Sequence, residues 1–115
     1  MCGLGLVIKH DGKEVGSLID GIYRTQKNRG SAGFGFVEVL DNEILHNTFV
    51  YEKDALDKLK ESKSNCILWH HRIPTSTTNN TKSNHPIFTD WEGYKHNYYL
   101  IHNGHINNCD ELRKT

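Results

Sequence analysis

Residue 2 is a cysteine directly behind the initiator methionine. Methionine ahead of a small residue is normally trimmed, which would leave Cys2 with a free α-amine. Such an amine titrates at ~7.7–8.0, close to neutral pH, and lies within reach of its own side chain. One residue then supplies both a nucleophile and its base. The same cysteine also suits the plain start of a buried strand. Arg72 follows an apolar run and precedes a polar stretch, in His70-His71-Arg72-Ile73-Pro74-Thr75. A guanidinium there could clamp a carboxylate through its planar fork. Thr75 and Ser76 offer hydroxyls to the same ligand. His102-Asn103-Gly104 ends another apolar run. Asn-Gly there reads either as a turn or as two donors, an amide and a backbone N–H, converging on an oxyanion. Eight histidines and the pairs Cys66-x3-His70 and His105-x3-Cys109 leave a small zinc module as a further reading. Satisfied loop and strand-end histidines are the favoured account of them.

The elements that must position these residues come from the pattern around them. Residues 2–9 form a near-continuous apolar run, expected as a buried strand. Residues 10–13 are a turn. Residues 15–28 carry Leu18, Ile19, Ile22, Tyr23 and Gln26 at helical spacing, with Gly30 placed as a C-terminal cap. A hairpin is expected over 34–51, turning at Asp41-Asn42. A charged helix is expected over 53–63, buried through Ala55, Leu56 and Leu59. Residues 66–70 and 97–102 are further strands. Residues 73–86 are polar, hold both prolines, and are expected as a long loop. Asn108 and Glu111 have the spacing of a capping box at the start of a last helix. The order β-α-β-β-α-β-β-α predicts an α+β fold, with helices packed on antiparallel sheet.

Composition narrows the function classes. Fourteen Lys+Arg balance fourteen Asp+Glu, giving no net charge, so a general grip on nucleic acid is not expected. No apolar run approaches a membrane span, and no secretory leader is expected. Three cysteines are too few and too odd for a disulfide framework, which points to free thiols and a cytoplasmic setting.

The motifs occur in a known order. Met1-Cys2-Gly3, residues 26–33 (QKNRGSAG), His71-Arg72-Ile73-Pro74-Thr75, Asn84-His85-Pro86-Ile87 and His102-Asn103-Gly104-His105 follow one another. The chain in this order resembles the class II glutamine amidotransferase (glutaminase) domain of the N-terminal nucleophile hydrolases. The resemblance spans the whole chain. It implies an αββα sandwich of antiparallel sheets, of which residues 1–115 would be the N-terminal part. It implies Cys2 as nucleophile and its freed amine as base, with Asn103 and Gly104 as the oxyanion hole. Arg72 would hold the glutamine α-carboxylate, supported by Thr75 and Ser76. Arg29 and Gly30 match the family's Arg-Gly motif and would brace the nucleophile. His85 matches its His-Pro, in a structural role.

The implied reaction hydrolyses the side-chain amide of L-glutamine to glutamate and ammonia through a cysteine thioester, with no cofactor and no metal. Implied partners are an ammonia-accepting synthetase domain or subunit, or a polypeptide that completes the domain. The sequence departs from the family in three places. Arg29-Gly30 runs to Ser31-Ala32-Gly33 without the usual Asp. Ser76-Thr77 stands where several members have His-Gly. The family's Asp that holds the substrate amine has no counterpart in these 115 residues. A non-catalytic binding or assembly module therefore stands as the alternative.

Overall fold

A computed structural model describes residues 1–73, 80–90, 92–93 and 95–115. It is an α+β fold with antiparallel sheets. Strand β1 (Gly3–Ile8) leads to helix α1 (Gly16–Gln26), extended by a 3-10 turn at Lys27–Arg29. Strands β2 (Phe34–Leu40) and β3 (Glu43–Phe49) form the expected hairpin. Asp41 and Asn42, at φ 51° and 65°, supply the left-handed backbone that a tight two-residue hairpin needs. Helix α2 (Glu52–Glu61) and strand β4 (Cys66–His71) follow. Strands β5 (Ile87–Thr89) and β6 (Tyr98–Leu100) pair as a second, two-stranded sheet, and helix α3 is Cys109–Arg113.

The larger sheet has the order β1-β4-β2-β3, all antiparallel. Alternation sends Phe34 and Phe36 of β2, and Ile67, Trp69 and His71 of β4, to one face. Both helices pack there. Ile19 and Tyr23 of α1, and Ala55 and Leu59 of α2, lie four residues apart on one stripe of each helix and meet those side chains in the core. Tyr23 stands edge-on to Phe34 and caps the core by donating to Glu52, 2.6 Å away. Lys27 holds the same carboxylate oxygen at 2.8 Å. Acidic residues at the start of α2 and lysines at its end match its dipole.

The opposite face of the sheet is covered only in part. The segment before β5 crosses it so closely that a Cβ on Gly35 would lie 1.9 Å from the His85 carbonyl oxygen. His46 of β3 bonds the Pro86 carbonyl at 2.7 Å, and its ring meets Tyr99 of β6. Beyond that contact Leu6, Ile8, Val39 and Ile44 remain exposed.

Four local expectations need correction. The apolar run at 2–9 is an edge strand with Leu6 and Ile8 exposed rather than a buried one, because only one face of it meets the helices. Strand β5 lies just past residues 73–86, where no strand was expected: its three residues are too few to show a period and matter only as the partner of β6. Gly30 ends the 3-10 turn rather than α1, donating to the Lys27 carbonyl. Asn108 precedes α3 but makes no side-chain capping bond, so the capping box is not formed. Of the polar loop, residues 74–79 lie outside the described residues; Thr81–Ser83 form a turn.

Candidate functional site

The start of β1, the end of β4 and the segment after β6 meet at Cys2. β1 is an edge strand whose first residue, Gly3, pairs with His71 at the end of β4. Cys2 therefore sits at the rim of the sheet, where its backbone is free of the ladder. Its nitrogen donates to the Asn103 side-chain oxygen Oδ1 at 2.9 Å, joining residues 101 positions apart. With Oδ1 taken, the Asn103 amide group Nδ2 is the end left to act as a donor. Gly104 follows at φ 154°, a backbone shape that side chains rarely adopt, with the His102 ring 3.1 Å from where a Cβ would be. A cavity of about 410 Å3 opens here, lined by Met1, Cys2, Ile73, Asn103, Gly104 and His105.

Arg29, at the end of the 3-10 turn, donates from Nε to the Cys2 carbonyl at 3.2 Å. Its neighbour Gly30 lies so close to the chain at Arg72 that a Cβ would fall 2.5 Å from the Arg72 carbonyl carbon. The Gly30 carbonyl accepts from Nδ1 of the buried His71 at 2.6 Å. The Arg-Gly pair thus ties the backbone of Cys2 to the end of β4.

Arg72 is buried, and one guanidinium nitrogen donates to the Ser83 carbonyl and hydroxyl and to Asn84 Oδ1. Asn84 in turn donates to the Phe49 carbonyl at the end of β3. The structure thus places Arg72 against the 83–84 segment, while Ile73, its neighbour, lines the cavity beside Cys2. Thr75 and Ser76 lie outside the described residues. His85 is brought to the site through the backbone: its Nδ1 accepts the N–H of His102 at 3.1 Å.

Sequence reading missed the part played by His70 and His71. His70 is buried on the outer face of β4, its Nε2 3.3 Å from the His102 carbonyl and its ring 4.5 Å from that of His85. Burial, reinforced by the charge of a protonated His85, pushes its pKa down to about 3. Burial also lowers the pKa of His71 and of His85, for the latter with the Arg72 charge adding to it. The signal available was two adjacent histidines ending an apolar strand, which by alternation must face opposite sides of the sheet.

Among the described residues, no group of three or more His, Cys, Asp or Glu side chains is placed to hold a metal. The Cys66/His70 and His105/Cys109 pairs therefore do not assemble into a zinc site there. No described helix is long and apolar enough to cross a membrane. Comparison with protein-family models, curated proteins and solved structures gave no match.

Proposed function

We propose that this chain carries the glutaminase half-site of a class II glutamine amidotransferase. The observation that carries the reading is the contact between the Cys2 nitrogen and Asn103 Oδ1 beside an open cavity. Met1 is exposed, as its removal requires. Removal turns the Cys2 nitrogen into an α-amine already oriented by Asn103. The thiolate attacks the carboxamide carbon of L-glutamine. The Asn103 Nδ2 group and the Gly104 N–H receive the oxyanion. The amine returns the thiol proton to the leaving nitrogen, ammonia departs, and water hydrolyses the thioester to glutamate. Arg29 holds the Cys2 backbone against recoil. Arg72, with Thr75 and Ser76, is assigned the glutamine carboxylate.

The same reading gives the exposed apolar face a place. One sheet with both helices on one side supplies half of an αββα sandwich, and Leu6, Ile8, Val39 and Ile44 lie where a second sheet, begun by β5 and β6, would extend over it. A polypeptide completing the domain, or a synthetase domain accepting ammonia, belongs to this proposal. A cytoplasmic setting is consistent with it, since a free nucleophilic thiol needs reducing conditions.

The alternative, a non-catalytic assembly module, is favoured by one observation: the Arg72 nitrogen bonded to Ser83 and Asn84 is engaged within the chain. Mass spectrometry and a glutamine-mimicking diazo-ketone separate the two. Catalysis requires loss of Met1 and covalent labelling that disappears in Cys2→Ala. Retained Met1, or labelling indifferent to Cys2, refutes the glutaminase reading.

A further inference from the structure

The residue ahead of Asn103 is gripped at both of its backbone polar groups. The His102 carbonyl faces Nε2 of His70 at 3.3 Å, and the His102 N–H donates to Nδ1 of His85 at 3.1 Å. These two contacts fix the tautomers. His70 must carry its proton on Nε2 to donate to a carbonyl, which leaves Nδ1 bare; that atom is buried and has no partner among the described residues. His85 must be bare on Nδ1 to accept an N–H. The two rings lie 4.5 Å apart, so a charge on one opposes a charge on the other.

We propose that His70 and His85 are a neutral two-histidine clamp that positions Asn103 against Cys2, and that protonation of His85 releases it. The catalytic meaning rests on the glutaminase reading; the clamp itself does not. Protonated, His85 would present an N–H to the N–H of His102, turning an attraction into a repulsion. The His102 backbone would then move, and Asn103, the next residue, is the one that meets the Cys2 nitrogen.

The surroundings favour the neutral state. His85 faces His70 of β4, Arg72 just past the end of that strand, and His102 from the segment it holds; burial, then the charges of Arg72 and His102, oppose its protonation. His105, Asp110 and Arg113 share a cavity wall with it, and Arg113 contacts Asp110 at 3.3 Å. Burial, with His71 of β4 and Arg72 just beyond it adding to it, likewise disfavours charge on His70.

The test compares the full chain with His85→Asn and His85→Leu. Asn places an acceptor oxygen close to the position of Nδ1 and does not titrate; Leu offers none. Two readouts are followed from pH 7.5 to 4.5. One is the NMR signal of the Asn103 side-chain amide, with hydrogen exchange of the His102 amide. The other is the rate of Cys2 labelling by the diazo-ketone divided by its rate with iodoacetamide, which needs no oxyanion hole.

In the natural chain the Asn103 signal and the ratio should change together as His85 gains its proton, with the ratio falling about tenfold. His85→Asn should keep the ratio at acid pH within about twofold of its neutral value, and His85→Leu should hold it low throughout. An acid limb that persists in His85→Asn overturns the clamp, as does a normal ratio with His102 protection in His85→Leu. If the diazo-ketone labels nothing at any pH, the glutaminase reading fails, and the Asn103 signal alone decides the clamp. A signal that follows His85 titration supports it; one that ignores it refutes it.

Discussion

Substituting Gly3 by alanine is the sharpest probe of how the strand behind Cys2, the candidate nucleophile, is seated. A Cβ there would lie 1.8, 2.3 and 2.6 Å from Nε2, Cε1 and Cδ2 of the His71 ring. The ring cannot swing aside cheaply. It is fully buried, Nδ1 is bonded to the Gly30 carbonyl at 2.6 Å, and Tyr23 stands edge-on to it with centroids 4.9 Å apart. Overpacking a tight core costs about 1–3 kcal/mol. Stranding a buried carbonyl adds about 1–3 kcal/mol if the ring gives up its bond. Gly3→Ala should therefore destabilise by about 2–6 kcal/mol, a large share of the ~5–15 kcal/mol that holds a domain together. The assay is urea unfolding, reading the shift in midpoint at constant slope. The decisive measurement is the cycle with His71→Ala. Removing the ring opens the space a methyl group needs, so Gly3→Ala should cost less than about 1 kcal/mol in that background, a coupling of at least ~1–2 kcal/mol. Additive single and double variants would refute the packing argument. Because Gly30 adjoins Arg29, and Arg29 holds the Cys2 carbonyl, Gly3→Ala should also loosen Cys2.

Acid should weaken the fold through its buried histidines. A folded pKa depressed below 6.5 means that the unfolded chain binds the proton first, so this contribution is complete above pH 6.5 and is lost as pH falls. For His70, at about 3, the loss by pH 5 is about 2 kcal/mol, and a urea midpoint unchanged between pH 7 and 5 would contradict it. Tyr23→Phe removes a bond to a carboxylate that Lys27 still holds, and should cost about 1–2 kcal/mol with the melting temperature as readout; an unshifted melt would show that the bond contributes nothing. Gly104→Ala meets both a φ of 154° and the His102 ring, and should slow diazo-ketone labelling of Cys2 while leaving the melting temperature within a few degrees. Equal labelling rates would remove Gly104 from the site.

What could be read in the sequence was whatever a local period or a turn rule encodes. The strands at 34–40 and 43–49 announce themselves as two runs joined by an Asp-Asn turn, and α1 and α2 by stripes at helical spacing. Cys2 and Asn103 are singled out together only through motif order, and the hydrogen bond that joins them across 101 residues has no local signal at all. The same holds for the grip of Ser83 and Asn84 on Arg72. That contact depends on how the 83–84 segment is fastened to Phe49, and nothing near Arg72 in sequence records it. Strand β5 shows the converse limit. Three residues encode no period, and they are a strand only because Tyr98–Leu100 lies beside them.

The placement of the candidate nucleophile follows from the geometry of an edge strand. A thiol in mid-strand would have its backbone nitrogen locked in the ladder, where it could not become an amine or turn toward a substrate. At the first position before an edge strand, the nitrogen is free of ladder bonds while Gly3, one residue on, is fixed between His71 and the core. Rigidity therefore begins one residue after the candidate reacting group. Asn103 reaches that group from a short second sheet seated on the opposite face by His46, the Gly35 contact and the two histidines at His102. Any change that shifts the second sheet on the first should move Asn103 relative to Cys2 without touching either residue. The separation of the two halves of the candidate site is thus governed by how the second sheet and the segment leading into it pack on the first, as in the close approach of the His85 carbonyl to Gly35.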